Sequence, residues 1–310
     1  MEKKIIYQID SLYRDTFRVT GFEFGEGEKS VCIVGNTRGN EYQQIYTCAK
    51  LVQKLKQLEE AGKMKPGHKI LVIPSVNPYS ANVKKRFWPT DNTDINRMFP
   101  GYDLGETTQR IAAGVFEEIK DYAIGMQFAS YYMPGKFIPH VRMMQTGFED
   151  ADLAKDFGFP YVMCRKVRPY DTGTLNYNWQ IWETKAFSIY TGSTTEVEEA
   201  GAKEAIKGIL RFLAKQGIID YKSRGGYQST VLTDADLKSA RTHTAGIFEC
   251  VAPEGTRVEK GQVIAKVLDP LDAEVKEKLT APVAGLVFFT HNEPLTYADT
   301  AVIKIIVEEE

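Results

Sequence analysis

The chain has 310 residues, enough for a large core and two domains. Its 43% hydrophobic and 26% charged residues are an ordinary globular balance, and a net charge of −2 excludes a polybasic surface for nucleic acid or anionic lipid. No run reaches the ~20 apolar residues of a membrane span, and the N-terminus lacks the apolar core of a signal peptide, so a cytoplasmic protein without membrane or nucleic-acid partners is expected.

Residues 3–8 and 17–24 alternate apolar and polar positions and predict an antiparallel pair. Apolar runs at 31–34, 70–73, 161–164 and 187–190, with a weaker one at 122–126, predict buried strands. Between them lie helical patterns. Ile45, Cys48, Leu51, Val52, Leu55 and Leu58 share one face, with Asn40 placed to cap its start. Ile111, Ala112, Val115, Phe116 and Ile119 share another, as do Ile206, Ile209, Leu210 and Leu213. Strands alternating with helices predict an α/β fold with a mixed, largely parallel sheet flanked by helices. Cys32, Cys48, Cys164 and Cys250 form no C-x-x-C pair, and buried free thiols are expected.

Residues 75–105 are polar and aromatic without periodicity. A segment this long inside a compact domain is expected to be functional, and its Phe87, Trp88 and Phe99 argue against disorder. Beyond residue 222 the helices stop, Arg224-Gly225-Gly226 reads as a linker, and two domains follow, 1–222 and 223–310. The tail repeats itself: 245–248 matches 284–287, and 262–267 matches 300–305, which predicts a small pseudo-symmetric β barrel or sandwich. It resembles the biotinyl/lipoyl-type module, without a carrier lysine at a hairpin tip. The acidic end, Glu308-Glu309-Glu310, reads as a solvated tail.

The string Gly35-Asn36-Thr37-Arg38-Gly39-Asn40-Glu41 joins a strand to a helix. An imidazole at position 38 would complete a His-x-x-Glu metal pair; arginine is a permanent cation with no lone pair to give. Arg38/Glu41, Asn77, Gln127 and Glu196 each come just after a predicted strand, where sites of open α/β sheets lie. Arg86 and Asp94-Ile95-Asn96-Arg97, on the long segment, are placed to join them. Taken singly, these residues have plainer readings: Glu196 as a carboxylate at a helix start, Asn96 and Arg97 as loop braces, Arg86 as part of a solvated basic face with Lys84 and Lys85.

The chain resembles the succinylglutamate desuccinylase/aspartoacylase branch of the zinc carboxypeptidase superfamily. The resemblance rests on Gly35-x-x-x-Gly39-Asn40-Glu41, Asn77-Pro78, Arg86, and Pro89-x-Asp91-x-x-Asp94-Ile95-Asn96-Arg97-x-Phe99-Pro100-Gly101, followed by Gly173-Thr174-Leu175 and Thr195-Glu196. It implies a zinc-carboxypeptidase-like domain with a small C-terminal all-β domain, and zinc-dependent hydrolysis of amide bonds. By motif it implies Glu196 as the catalytic base, Arg86 as the oxyanion arginine, Asn96 and Arg97 as the clamp for the substrate carboxylate, and Glu41 as a zinc ligand. Two further zinc ligands, both histidines in the family, fall on Arg38 and Gln127.

The expected function is therefore that of a metal-free relative, without cofactor, binding a small carboxylate-bearing molecule such as an N-acyl amino acid or peptide terminus. Arg38 is expected to take the place of the metal and pair with Glu41. The alternative is an active amide hydrolase whose remodelled site holds zinc through Glu41, His140 or another side chain. A structural subunit beside an active paralogue is a third reading.

Overall fold

The computed structural model describes residues 1–11 and 15–308; Glu309 and Glu310 of the acidic end lie outside the described residues. The chain divides into two compact units, one of Met1–Ala129, Pro139–Tyr190 and Thr194–Val231, the other of Ser130–Ile138, Thr191–Ser193 and Leu232–Glu310.

The elements of the first unit are β1 (Glu2–Ile9), β2 (Phe17–Phe24), β3 (Gly27–Asn36), α1 (Tyr42–Glu60), β4 (Gly67–Ser75), α2 (Pro78–Asn82), α3 (Thr107–Ile119), β5 (Ile124–Phe128), β6 (Gly135–Gln145, from Pro139 on), α4 (Ala151–Ala154), β7 (Tyr161–Lys166), α5 (Leu175–Ile181), β8 (Lys185–Gly192, up to Tyr190) and α6 (Glu199–Lys215). The sheet order is β1-β2-β4-β3-β5-β8-β6-β7. β1, β2 and β4 pair antiparallel, whereas β4-β3, β3-β5, β5-β8 and β6-β7 are parallel. The central strands are covered on both faces. Val31 and Ile33 of β3 meet Leu51, Leu55 and Phe212 beneath α1 and α6. Cys32 and Val34, pointing the other way, meet Ile111, Val115 and Trp179 of α3 and α5. A strand buried on both sides reads as a continuous apolar run, which is why these strands were visible in the sequence.

The cap of α1 departs from expectation. Its N-cap is Glu41 rather than Asn40, and no side chain caps it. The Glu41 carboxylate turns back to the Thr37 and Arg38 N–H groups. Cys32, Cys48 and Cys164 are buried free thiols, while Cys250 is exposed.

Strand β9 (Thr230–Thr233) leads into the second unit, which holds β10 (Leu237–Arg241), β11 (Gly246–Cys250), β12 (Arg257–Val258), β13 (Val263–Leu268), β14 (Val275–Thr280), β15 (Gly285–His291), β16 (Leu295–Thr296) and β17 (Ala301–Val307). The sequence repeat maps onto equivalent strands. The first copy forms the antiparallel pair β11-β13 and the second the antiparallel pair β15-β17. Among the described residues no helix is long and apolar enough to cross a membrane.

Candidate functional site

The site gathers at the carboxyl ends of β3, β4 and β5, all within the first unit. Two parts of the chain meet there. Val76 N–H donates to Asn36 O, and the Asn77 amide, which caps α2, reaches Thr37 O at 3.4 Å. Gly39 N–H donates to Arg86 O at 3.0 Å. A Cβ at Gly39 would lie 2.4 Å from Lys85 O, so only glycine lets the segment carrying Arg86 come this close.

Glu41 is fully engaged. Its Oε2 accepts from Thr37 N–H at 3.3 Å and Arg38 N–H at 3.1 Å. The Gln44 amide, with its nitrogen turned toward Glu41, adds a third contact at 3.0 Å. Oε1 accepts from Arg38 Nη1 at 3.3 Å. Arg38 is the hub. Its side chain is 5% exposed, and Nε and Nη2 both donate to Asp94 Oδ2, at 3.0 and 2.8 Å. Burial disfavours this cation, yet Asp94 and Glu41 outweigh burial and hold the guanidinium above its ordinary value. Asp94 is the partner the sequence did not assign. It lies 56 positions away, and no local periodicity links the two.

Asp94 also builds the neighbouring turn. Its Oδ1 accepts from Asn96 N–H at 3.0 Å and caps the short 3₁₀ turn Ile95–Arg97. Asn96 Oδ1 accepts from Gln127 Nε2 at 3.1 Å and from Leu175 N–H at 3.2 Å. Gln127 is therefore turned toward Asn96 from within β5. A Cβ at Gly173 would lie 2.2 Å from Arg97 O, which explains a glycine just before α5. Arg97 donates to Asn96 O and lies 5.8 Å from the Tyr170 ring. Both Arg86 and Arg97 are pushed below the ordinary guanidinium value, first by burial and then by the charge of Arg38. Glu196 is exposed on the loop after β8. That loop is tied to the start of α1, because Gln43 N–H donates to Thr194 O and the Gln43 amide bonds both ways with the Glu198 backbone.

A second cluster joins His140, named in the sequence only as an alternative ligand, to Tyr190 and Arg142, which were not singled out. His140 is completely buried and stacks on Tyr190, with ring centroids 4.7 Å apart. Arg142 covers the same Tyr190 ring at 4.2 Å, donates to its hydroxyl at 3.2 Å and lies 3.4 Å from His140 Nε2. Tyr190 and Asp171, the latter paired with Arg165 at 2.5 Å, lie within electrostatic reach of Arg97. Alternation of His140 and Arg142 along β6 is the one signal that could have placed both on one face.

Comparison with known proteins gives the family. Residues 27–215 match the model of the succinylglutamate desuccinylase/aspartoacylase catalytic domain, well over half of the chain. The chain belongs to the succinylglutamate desuccinylase/aspartoacylase family. It is 24% identical over 266 residues to an N-alpha-acetyl-L-2,4-diaminobutyric acid deacetylase of Halomonas elongata, covering 81% of this chain and 73% of that protein. Among solved structures, a succinylglutamate desuccinylase from Silicibacter sp. TM1040 superposes with a TM-score of 0.83 at 19% identity, covering 99% and 93% of the two chains. The product-bound ectoine utilization protein EutE (DoeB) from Ruegeria pomeroyi gives 0.79 at 21% identity, covering 95% and 92%. At these identities the superpositions establish the fold.

The succinylglutamate desuccinylase/aspartoacylase family implies a zinc ion, and the donor chemistry at positions 38, 41 and 127 does not fit one. A zinc site of this kind needs three protein donors with lone pairs. Arg38 offers none, Glu41 accepts hydrogen bonds on both oxygens, and Gln127 presents its amide nitrogen to Asn96. Among the described residues no three His, Cys, Asp or Glu side chains gather in a metal-binding group.

Proposed function

We propose that this member of the family binds a small carboxylate-bearing ligand, an N-acyl amino acid or a peptide terminus, without zinc-dependent turnover. The observation that carries the reading is the buried Arg38, held between Glu41 and Asp94. A guanidinium supplies positive charge but cannot lower a water's pKa to about 7 as zinc does. Asn96 and Arg97 form the carboxylate clamp, the planar fork of Arg97 suiting two oxygens. Arg86 stands at the oxyanion position and Glu196 at the position of the family's base. The electrostatics are compatible with an anionic ligand: burial and then the charge of Arg38 disfavour the Arg86 and Arg97 cations, Asp94 opposes this at both, and an incoming carboxylate would favour both cations further. The Halomonas elongata relative, by its name, acts on an N-acetylated amino acid, which supports the ligand class.

The test is metal analysis of the purified protein before and after zinc loading, alongside calorimetric titration with a panel of N-acetyl amino acids. Saturable binding without retained zinc or hydrolysis is the expected result. Stoichiometric, tightly held zinc would overturn the metal-free reading, and absence of binding across the panel would overturn the ligand class.

A further inference from the structure

The ring of Tyr170 lies 5.8 Å from the Arg97 guanidinium, within cation–π range. The residue is nonetheless 52% exposed, so part of the ring is open to a ligand. A single exposed aromatic is ordinarily a plain surface side chain. This one is held in place. The turn Pro169–Asp171 that carries it begins with a proline, whose ring fixes φ. The buried Asp171 anchors that turn, accepting from Arg168 N–H at 2.9 Å and from Arg165 Nη2 at 2.5 Å. Arg168 Nη1 donates to the Tyr170 hydroxyl at 2.7 Å, which tethers the far end of the ring. Beyond the turn the chain is tied to the clamp itself. Phe99 N–H donates to Gly173 O at 3.0 Å, and Leu175 N–H donates to Asn96 Oδ1 at 3.2 Å. The turn bearing Tyr170 and the turn bearing Arg97 therefore keep one mutual geometry.

We propose that Tyr170 is a specificity-determining residue, bracing the Arg97 fork and forming the wall against which the ligand's side chain lies. The inference rests on the carboxylate-binding reading above. In an amino acid the side chain branches from the carbon next to the carboxylate. A carboxylate seated on the Arg97 fork therefore leaves that side chain within its own length of the fork, where the Tyr170 ring stands. An aromatic wall favours another ring, stacked offset or edge to face. The ligands selected are N-acyl amino acids with an aromatic side chain, over those with none.

The probes are N-acetylphenylalanine and N-acetylglycine, titrated calorimetrically into the full chain; they share carboxylate and acyl group and differ in side chain alone. The parent should bind N-acetylphenylalanine about fivefold more tightly. Tyr170→Ala should lose that preference, whereas a merely structural role would weaken both probes alike. Tyr170→Phe keeps the ring without its tether to Arg168 and should retain the preference. A readout without ligand tests the brace: phenylglyoxal labelling of Arg97, followed by peptide mass spectrometry, should be faster in Tyr170→Ala than in the parent or Tyr170→Phe. Failure of the parent to bind either probe would overturn the carboxylate-binding reading and this inference with it. Equal binding of the two probes by the parent, a preference that survives in Tyr170→Ala, or one lost in Tyr170→Phe would overturn the wall alone. Equal labelling in all three proteins would overturn the brace.

Discussion

Replacing Arg38 by methionine tests the buried hub most directly. The guanidinium is 5% exposed and joins Glu41, 1% exposed, to Asp94, 15% exposed. Methionine keeps much of the volume but leaves two carboxylates with no cation between them. Removing one partner of a buried ion pair costs about 3–5 kcal/mol, because the remaining charge is uncompensated. At roughly 2–4 °C per kcal/mol for a unit of this size, the midpoint should fall by about 6–20 °C in thermal unfolding followed by circular dichroism. Asp94→Asn is the natural second change, since asparagine also caps a helical turn but carries no charge. Added to Arg38→Met, it should recover about 1–3 kcal/mol. A single variant within about 1 kcal/mol of the parent, or a double variant no more stable than the single, would refute the hub.

Arg97→Ala should lose about thirtyfold or more in affinity for an N-acetyl amino acid while changing stability by about 0.5 kcal/mol at most; calorimetry and denaturant unfolding read the two separately. Arg38→His with Gln127→His should acquire zinc, measured by competition with a chromogenic chelator; a folded double variant that binds none would show that the site has drifted beyond two ligands. Asn40→Ala should cost no more than about 0.5 kcal/mol in chemical unfolding, because Asn40 does not cap α1, whereas a true cap would cost about 1 kcal/mol. In the second unit, burial alone would raise Glu277, but hydrogen bonds from His243 and Thr244 prevail and hold its carboxyl below the usual range. A depressed carboxylate stabilises above its unfolded value and loses that stabilisation as pH falls through the folded one. Glu277→Gln should therefore be less stable than the parent at neutral pH, with the gap closing in acid.

The sheet was legible wherever burial is symmetrical. Val31 to Val34 and Ile70 to Ile73 are apolar on both faces and could be nothing but interior strands. Strand β6 was harder to place, because Lys136, Pro139, His140 and Arg142 interrupt its apolar pattern. Arg38 pairing with Glu41 follows from a spacing of three and was legible. Its shorter contact to Asp94 was not, since a bond across 56 residues depends on how the long segment folds back. Asn40 looked like a cap because its type and place are right for one. The competing interaction was Glu41 reaching back to the turn, which no propensity encodes.

Asp94 gives one carboxylate two jobs: one oxygen anchors Arg38, the other shapes the turn that presents Asn96 and Arg97. Position 38 and the Asn96-Arg97 turn thus form a single mechanical part, and neither drifts alone. Histidine at 38 would release Asp94 and loosen the turn that carries Asn96 and Arg97 in the same step. On the proposed function, a metal bound through histidine at 38 would then come at the expense of ligand grip until Asp94 also changed.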